Sequence, residues 1–169
     1  SQWVYLKFMT VQINYKNSGS KKISANTILF VDEKFNINGL KNHVPNHEFS
    51  YISDLLKNID LKKKLLVFDI SSKKKIILIS VKKNYFVRDI ENLGAELFVK
   101  INRGKKSEYI ISSELINNKI ENFLGHLVHG LKLKSYNFNK YKTKKETRLI
   151  TINIFGNKNK PSAQNQLKF

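Results

Sequence analysis

The chain has 169 residues, 41% hydrophobic and 11% aromatic, which suits one folded domain with a buried core and excludes a disordered chain. It holds no cysteine, which rules out disulfides, thiolate nucleophiles and cysteine-held zinc and fits a reducing, cytoplasmic setting. The 31 Lys and Arg against 13 Asp and Glu give a net charge of +18, and no apolar run approaches the roughly 20 residues that span a bilayer, so no membrane is expected as a partner.

Residues 1–10 read as an amino-terminal extension without the layout of a secretory signal. Residues 11–15 alternate apolar and polar and predict a half-buried strand, and residues 27–31 predict a short buried one after a turn at Ser18, Gly19 and Ser20. Gly39 and Pro45 punctuate a predicted loop over 32–46. Ile52, Leu55, Leu56 and Ile59 fall at helical spacing and predict a helix over 48–59. The β-branched runs 65–70 and 76–81 predict a hairpin turning at 71–75. Phe86, Ile90, Leu93, Leu97 and Ile101 predict a helix over 85–102 that Gly104 closes. Gly94 inside it carries a propensity cost, so the spacing predicts that a neighbouring element comes close there.

Residues 109–112 predict a further strand, and Ser113 is placed to cap a helix over 114–131 with Ile116, Ile120, Phe123, Leu124, Leu127 and Val128 in one stripe. Residues 149–155 predict the last strand, and 156–169 read as a linker or tail. Strands alternating with helices predict one α/β domain over 11–155, three layers with a mixed sheet, since the hairpin excludes a purely parallel one.

Residues able to do chemistry are sparse. His126 and His129 stand three apart on a predicted helix, where two imidazoles can share a cation, but no third ligand is paired with them in sequence. Surface histidines beside an apolar stripe are the simpler reading, and His43 and His47 in a loop have no better claim. The carboxylates are scattered with no acid–base spacing, and there is no Gly-x-Ser-x-Gly elbow, glycine-rich phosphate loop or His-Glu-x-x-His. Catalytic, metal and cofactor residues are therefore all expected to be absent from this chain.

Lysine clusters stand at residues 62–64, 73–75, 82–83 and 142–145. Lys73, Lys74, Lys75, Lys144 and Lys145 are the candidates for contact with a polyanion. With Arg88, Arg103 and Arg148 the only arginines, bidentate reading of bases is poorly supplied. Tyr136, Phe138 and Tyr141 interleave with the last cluster, a pattern that suits either bases stacking on the rings or an extended segment packed by one face on the domain.

Residues 130–145 read Gly-Leu-Lys-Leu-Lys-Ser-Tyr-Asn-Phe-Asn-Lys-Tyr-Lys-Thr-Lys-Lys. This run resembles the end of the amino-terminal domain of cytosol (leucyl) aminopeptidases, the M17 metallopeptidase family, with Gly130, Tyr136, Phe138, Tyr141 and Lys142 at the motif positions. The order of elements over 11–155 is similar too, including the central Leu93-Gly94 pair. His129 departs from the acidic residue that often precedes the glycine, and Lys132 and Lys134 are more basic than usual. The resemblance implies a macro-domain-like fold and a non-catalytic assembly or regulatory role. It further implies a parent hydrolase that removes amino-terminal residues from peptides with two divalent metal ions, zinc or manganese. In that family the metal ligands and the Asn-Thr-Asp-Ala-Glu-Gly-Arg signature belong to the following catalytic domain, and this chain lacks the signature. Implied partners are that carboxy-terminal catalytic domain and the other subunits of a homo-hexamer; some bacterial relatives also bind DNA. The alternative is a stand-alone basic α/β domain that binds nucleic acid.

Overall fold

The structure is a computed structural model that describes residues 9–16, 26–103, 106–113, 116, 122–140 and 148–156. Its elements in chain order are β1 (Met9–Lys16), β2 (Asn26–Asp32), α1 (Asn46–Leu56), β3 (Leu65–Ser71), β4 (Lys74–Val81), α2 (Val87–Ile101), β5 (Lys106–Ser112), α3 (Phe123–Lys140) and β6 (Arg148–Phe155). The strands form one six-stranded sheet in the order β1-β6-β5-β2-β4-β3. Every pairing is parallel except that of β3 with β4, the hairpin expected from the sequence. The first two strands are not neighbours: β1 closes on β6, whereas β2 lies between β4 and β5.

Alternation along the central strands divides the core into two layers. Ile28, Phe30, Ile77 and Ile79 pack on one face with Ile90, Leu93, Leu97 and Phe98 of α2 and Phe123, Leu127, Val128 and Leu131 of α3. Leu29, Val31, Ile76 and Leu78 pack on the other with Ile52 of α1 and with Phe35, Ile37, Leu40 and Val44 of the β2–α1 connection. Strands buried on both faces read as continuous apolar runs, which is how Ile76-Ile77-Leu78-Ile79 appears in the sequence. The fold is thus α/β with helices on both faces of a mixed sheet.

The β2–α1 connection is more ordered than a plain loop, with a single 3₁₀ turn over Asn38–Leu40. Phe35 there adopts φ 55°, a left-handed conformation rare for a bulky residue. Two constraints hold it. The Asp32 Oδ1 accepts hydrogen bonds from the backbone N–H groups of Lys34 and Asn36 at 3.0 and 2.9 Å, and the Phe35 ring is buried in the α1-side core.

The last helix differs from the sequence expectation at both ends. Asn122 has φ 58°, so no helix runs continuously through it, and α3 begins at Phe123 rather than near residue 114. It then continues past the predicted stop at residue 131 to Lys140. The Ser113 hydroxyl donates to the Phe155 carbonyl at 2.9 Å, tying the end of β5 to the end of β6. Gly104, the expected cap of α2, lies outside the described residues, as do Glu114 and Ile120 of the expected stripe.

Gly94 behaves as its position in the sequence predicts. A Cβ at Gly94 would collide with the Leu127 carbonyl oxygen, and one at Gly130 would collide with the Glu91 carbonyl. The two glycines thus let α2 and α3 meet backbone to backbone. Helix propensity alone predicts that Gly94→Ala stabilises by about 1 kcal/mol. The collision predicts the opposite sign, and we expect Gly94→Ala and Gly130→Ala each to destabilise by about 2–3 kcal/mol in urea denaturation.

Burial raises the pKa of the Tyr15, Tyr85 and Tyr109 phenols, that of Tyr15 from 10.0 to about 12. A raised folded-state pKa favours the neutral phenol, so this stability is complete below pH 10 and is lost as pH rises toward 12. The buried Tyr15 hydroxyl has no hydrogen-bond partner among the described residues. Tyr15→Phe is therefore expected to leave neutral-pH stability unchanged or higher. It should also reduce the loss of stability above pH 10, read from thermal melts across an alkaline series.

Candidate functional site

The parallel strands β2, β4, β5 and β6 all end on one side of the sheet, where α/β domains hold their ligands. In this chain aromatic packing occupies that position between the starts of α2 and α3. Phe123 meets the edge of Phe30 at 5.8 Å between ring centroids and stacks on Tyr85 at 6.5 Å. The Tyr85 hydroxyl donates to the Ser80 carbonyl at 2.9 Å, and the Lys64 ammonium lies 5.3 Å above the Tyr85 ring. The β4–α2 connection, Lys82-Lys83-Asn84-Tyr85-Phe86, contains no glycine to bring backbone N–H groups around a phosphate.

Most carboxylates of the described residues are in structural service. Asp32 holds the Phe35 turn, Asp60 accepts from the Lys62 N–H at 3.0 Å, and Asp89 accepts from the Phe86 N–H at 3.0 Å at the start of α2. Glu108 accepts from Asn153 at 3.0 Å, and Asn153 in turn accepts from Asn14 at 3.0 Å, a polar row crossing β5, β6 and β1. Glu91 of α2 lies 3.1 Å from the Nε2 of His129 on α3, an interhelical contact. His126 is half-buried on the same helix, and His43 and His47 lie far along the chain, at the start of α1. Among the described residues no three His, Asp or Glu side chains converge on a point that can hold a metal ion. No helix among them is long and apolar enough to cross a membrane.

Glu48 and Lys74 form the one buried ion pair among the described residues, their side chains only 4% and 12% exposed. The Lys74 ammonium donates to Glu48 Oε2 at 2.9 Å and also reaches Oε1. The pair fastens the first turn of α1 to the start of β4. Lys75 lies 3.7 Å from Asp69 across the same hairpin. Two of the lysines singled out in sequence thus face carboxylates, whereas Lys73 points to solvent at the turn. Lys144 and Lys145 lie outside the described residues.

The motif residues separate in the same way. Gly130 is the close-contact glycine of α3. Because α3 runs through them, Tyr136 and Phe138 do not share a face as they would in an extended segment. Tyr136 is 55% exposed, while the Phe138 ring meets Phe98 of α2 at 5.9 Å. Tyr141 and Lys142 lie outside the described residues.

No protein-family model and no curated protein sequence matches the chain. Among solved structures, a mutant of tomato leucine aminopeptidase superposes with a TM-score of 0.58 at 11% identity, over 95% of this chain and 35% of that one. The fold is that of part of a leucine aminopeptidase. The chain spans about a third of the length of that enzyme. A leucyl aminopeptidase from Trypanosoma brucei, in complex with actinonin, also matches, with a TM-score of 0.45 at 7% identity over 90% of this chain and 33% of that one.

Removing one member of the buried pair leaves the other charge without its counterion. Lys74→Met is expected to destabilise by about 3 kcal/mol in urea denaturation, and Glu48→Leu with Lys74→Met to recover most of that loss.

Proposed function

We propose that this chain is the amino-terminal, non-catalytic domain of an M17-type leucyl aminopeptidase. What carries the reading is coverage: 95% of the chain follows an aminopeptidase fold that continues well beyond it, with only 35% of that enzyme matched. The run from Gly130 to Phe138 supports it, since Gly130 and Phe138 make the contacts that join α3 to α2.

On this reading the parent enzyme is a cytoplasmic hydrolase that removes amino-terminal residues from peptides. The hydrolysis belongs to a catalytic domain carboxy-terminal to this one, where two divalent ions, zinc or manganese, supply a metal-activated water. The described residues of this chain do not suit such ions, because their carboxylates serve turns, helix starts and ion pairs. The domain's own work is then to pack against the catalytic domain and to assist assembly into a homo-hexamer.

Immunocapture from source cells with an antibody raised against this chain tests the proposal. A captured polypeptide far heavier than 19.7 kDa with manganese-dependent leucine-aminopeptidase activity is the expected result. A species of about 19.7 kDa without that activity overturns it.

A further inference from the structure

The sequence offers several lysine clusters of similar appearance, and the fold treats them differently. Two of the three at the β3–β4 turn face acids: Lys74 pairs with Glu48 and Lys75 with Asp69. Those at the other end of the same hairpin come together. The antiparallel register sets Leu65 opposite Ile79, and the Ser80 N–H donates to the Lys64 carbonyl at 2.8 Å. The segment entering β3 and the segment leaving β4 therefore lie side by side. Lys62, Lys63 and Lys64 adjoin Lys82 and Lys83, with Arg88 on the first turn of α2 just beyond, and all six are exposed. Of the acids at this end, Asp32, Asp60 and Asp89 accept from backbone N–H groups. Glu33 and Glu96 are exposed and stand near enough to Tyr85 to act on its phenol, so the six cations face two carboxylates not held in this way.

Phe86 stands within this group of cations, 71% exposed. A bare aromatic ring among lysines, at the end of a domain with a net charge of +18, fits a partner that is both polyanionic and aromatic. Among the described residues, the exposed large apolar side chains beside Phe86 are Leu61 and Val87, at 41% and 48%, which offers little apolar surface to insert into a bilayer. The scarcity of arginine removes base-edge reading but not phosphate attraction, which lysine supplies as a point charge.

We propose that Lys62, Lys63, Lys82, Lys83 and Phe86 form a binding surface for single-stranded nucleic acid. The lysines take phosphates, and the Phe86 ring stacks on a base without sequence preference. This surface belongs to the domain itself, so its activity is independent of the aminopeptidase reading and of any catalytic domain joined to the chain.

The test is fluorescence anisotropy of the full chain with a labelled thymidine oligonucleotide of about 20 nucleotides, titrated between about 50 and 200 mM salt. Lys62→Gln, Lys63→Gln, Lys82→Gln and Lys83→Gln are combined in one variant. A charge-matched control combines Lys41→Gln, Lys57→Gln, Lys73→Gln and Lys134→Gln. All of these side chains are exposed, and thermal melts of both variants check that the fold is retained.

The first variant is expected to bind at least tenfold more weakly and to lose about 0.7 of salt slope for each phosphate contact removed, while the control stays close to the parent. Phe86→Ala is expected to weaken oligonucleotide binding about tenfold and to leave binding to heparin, a polyanion without bases, unchanged. No binding of the oligonucleotide, equal losses in the two lysine variants, or Phe86→Ala without effect on it would each overturn the proposal. So would Phe86-dependent capture by phosphatidylserine vesicles in preference to the oligonucleotide, which would assign the surface to a membrane instead.

Discussion

The approach of α2 to α3 sets the geometry of one whole side of this domain. Gly94 and Gly130 each remove the side chain that would otherwise hold the helices apart, so each helix takes the other's backbone carbonyl into van der Waals contact. At that separation Phe98 can reach Phe138, and Glu91 can reach His129. The same closeness lets Leu93 and Leu97 of one helix and Leu127 and Leu131 of the other share a single core above β2, β4, β5 and β6. Interiors packed at crystal-like density transmit such a spacing rather than absorb it, so the positions of the side chains around the glycines depend on two missing methyl groups.

The opposite face is held by different physics. Among the described residues, α1 and the β2–α1 connection cover it, over β2, β3 and β4. Two polar devices fix them in place: the Asp32 turn, which keeps Phe35 in its left-handed conformation, and the Glu48–Lys74 pair, which ties α1 to the sheet. Over β1, β6 and β5 the corresponding positions are mixed: Asn14, Asn153 and Glu108 satisfy one another across the strands, beside the buried Ile110 and Phe155. The sheet is therefore apolar on both faces in its β2–β4 half, whereas in its β1–β6 half one face is apolar and the other interrupted by a polar row. This matches Thr151 and Asn153 in β6 against the unbroken apolar run of β4.

Much of this was legible in the sequence wherever the signal was local. The β3–β4 hairpin and α2 arise from short-range periodicity, and Gly94 announced its contact because a glycine in a strong helix pattern needs a packing reason. The limits of α3 were not legible, because they depend on Asn122 entering the left-handed region and on the helix tolerating Ser135 and Asn137 within it. The Tyr136 and Phe138 spacing misled for the same reason: two residues apart means one face in a strand and nearly opposite faces in a helix. Phe35 carries no mark of its positive φ, which is imposed by the turn and core around it. The pairing of β1 with β6 joins opposite ends of the chain, and no local pattern encodes it.

The lysines show most plainly why charge has to be read through topology. Lys73-Lys74-Lys75 and Lys62-Lys63-Lys64 are indistinguishable as strings, yet one lies where α1 and β3 bring carboxylates and the other where β4 brings more lysines. A surplus of cations spread evenly over a surface supports only weak, salt-sensitive attraction to any polyanion. The antiparallel hairpin turns part of that surplus into a local field by folding two clusters onto one end, and the start of α2 adds an exposed ring to it. A fold shared with an enzyme does not by itself assign work to the domain, because function resides in sites rather than in architecture. Among the described residues the carboxylates are largely committed to holding the fold, so the groups left to meet a partner are predominantly cationic, and the β3–β4 register gathers two clusters of them at one end.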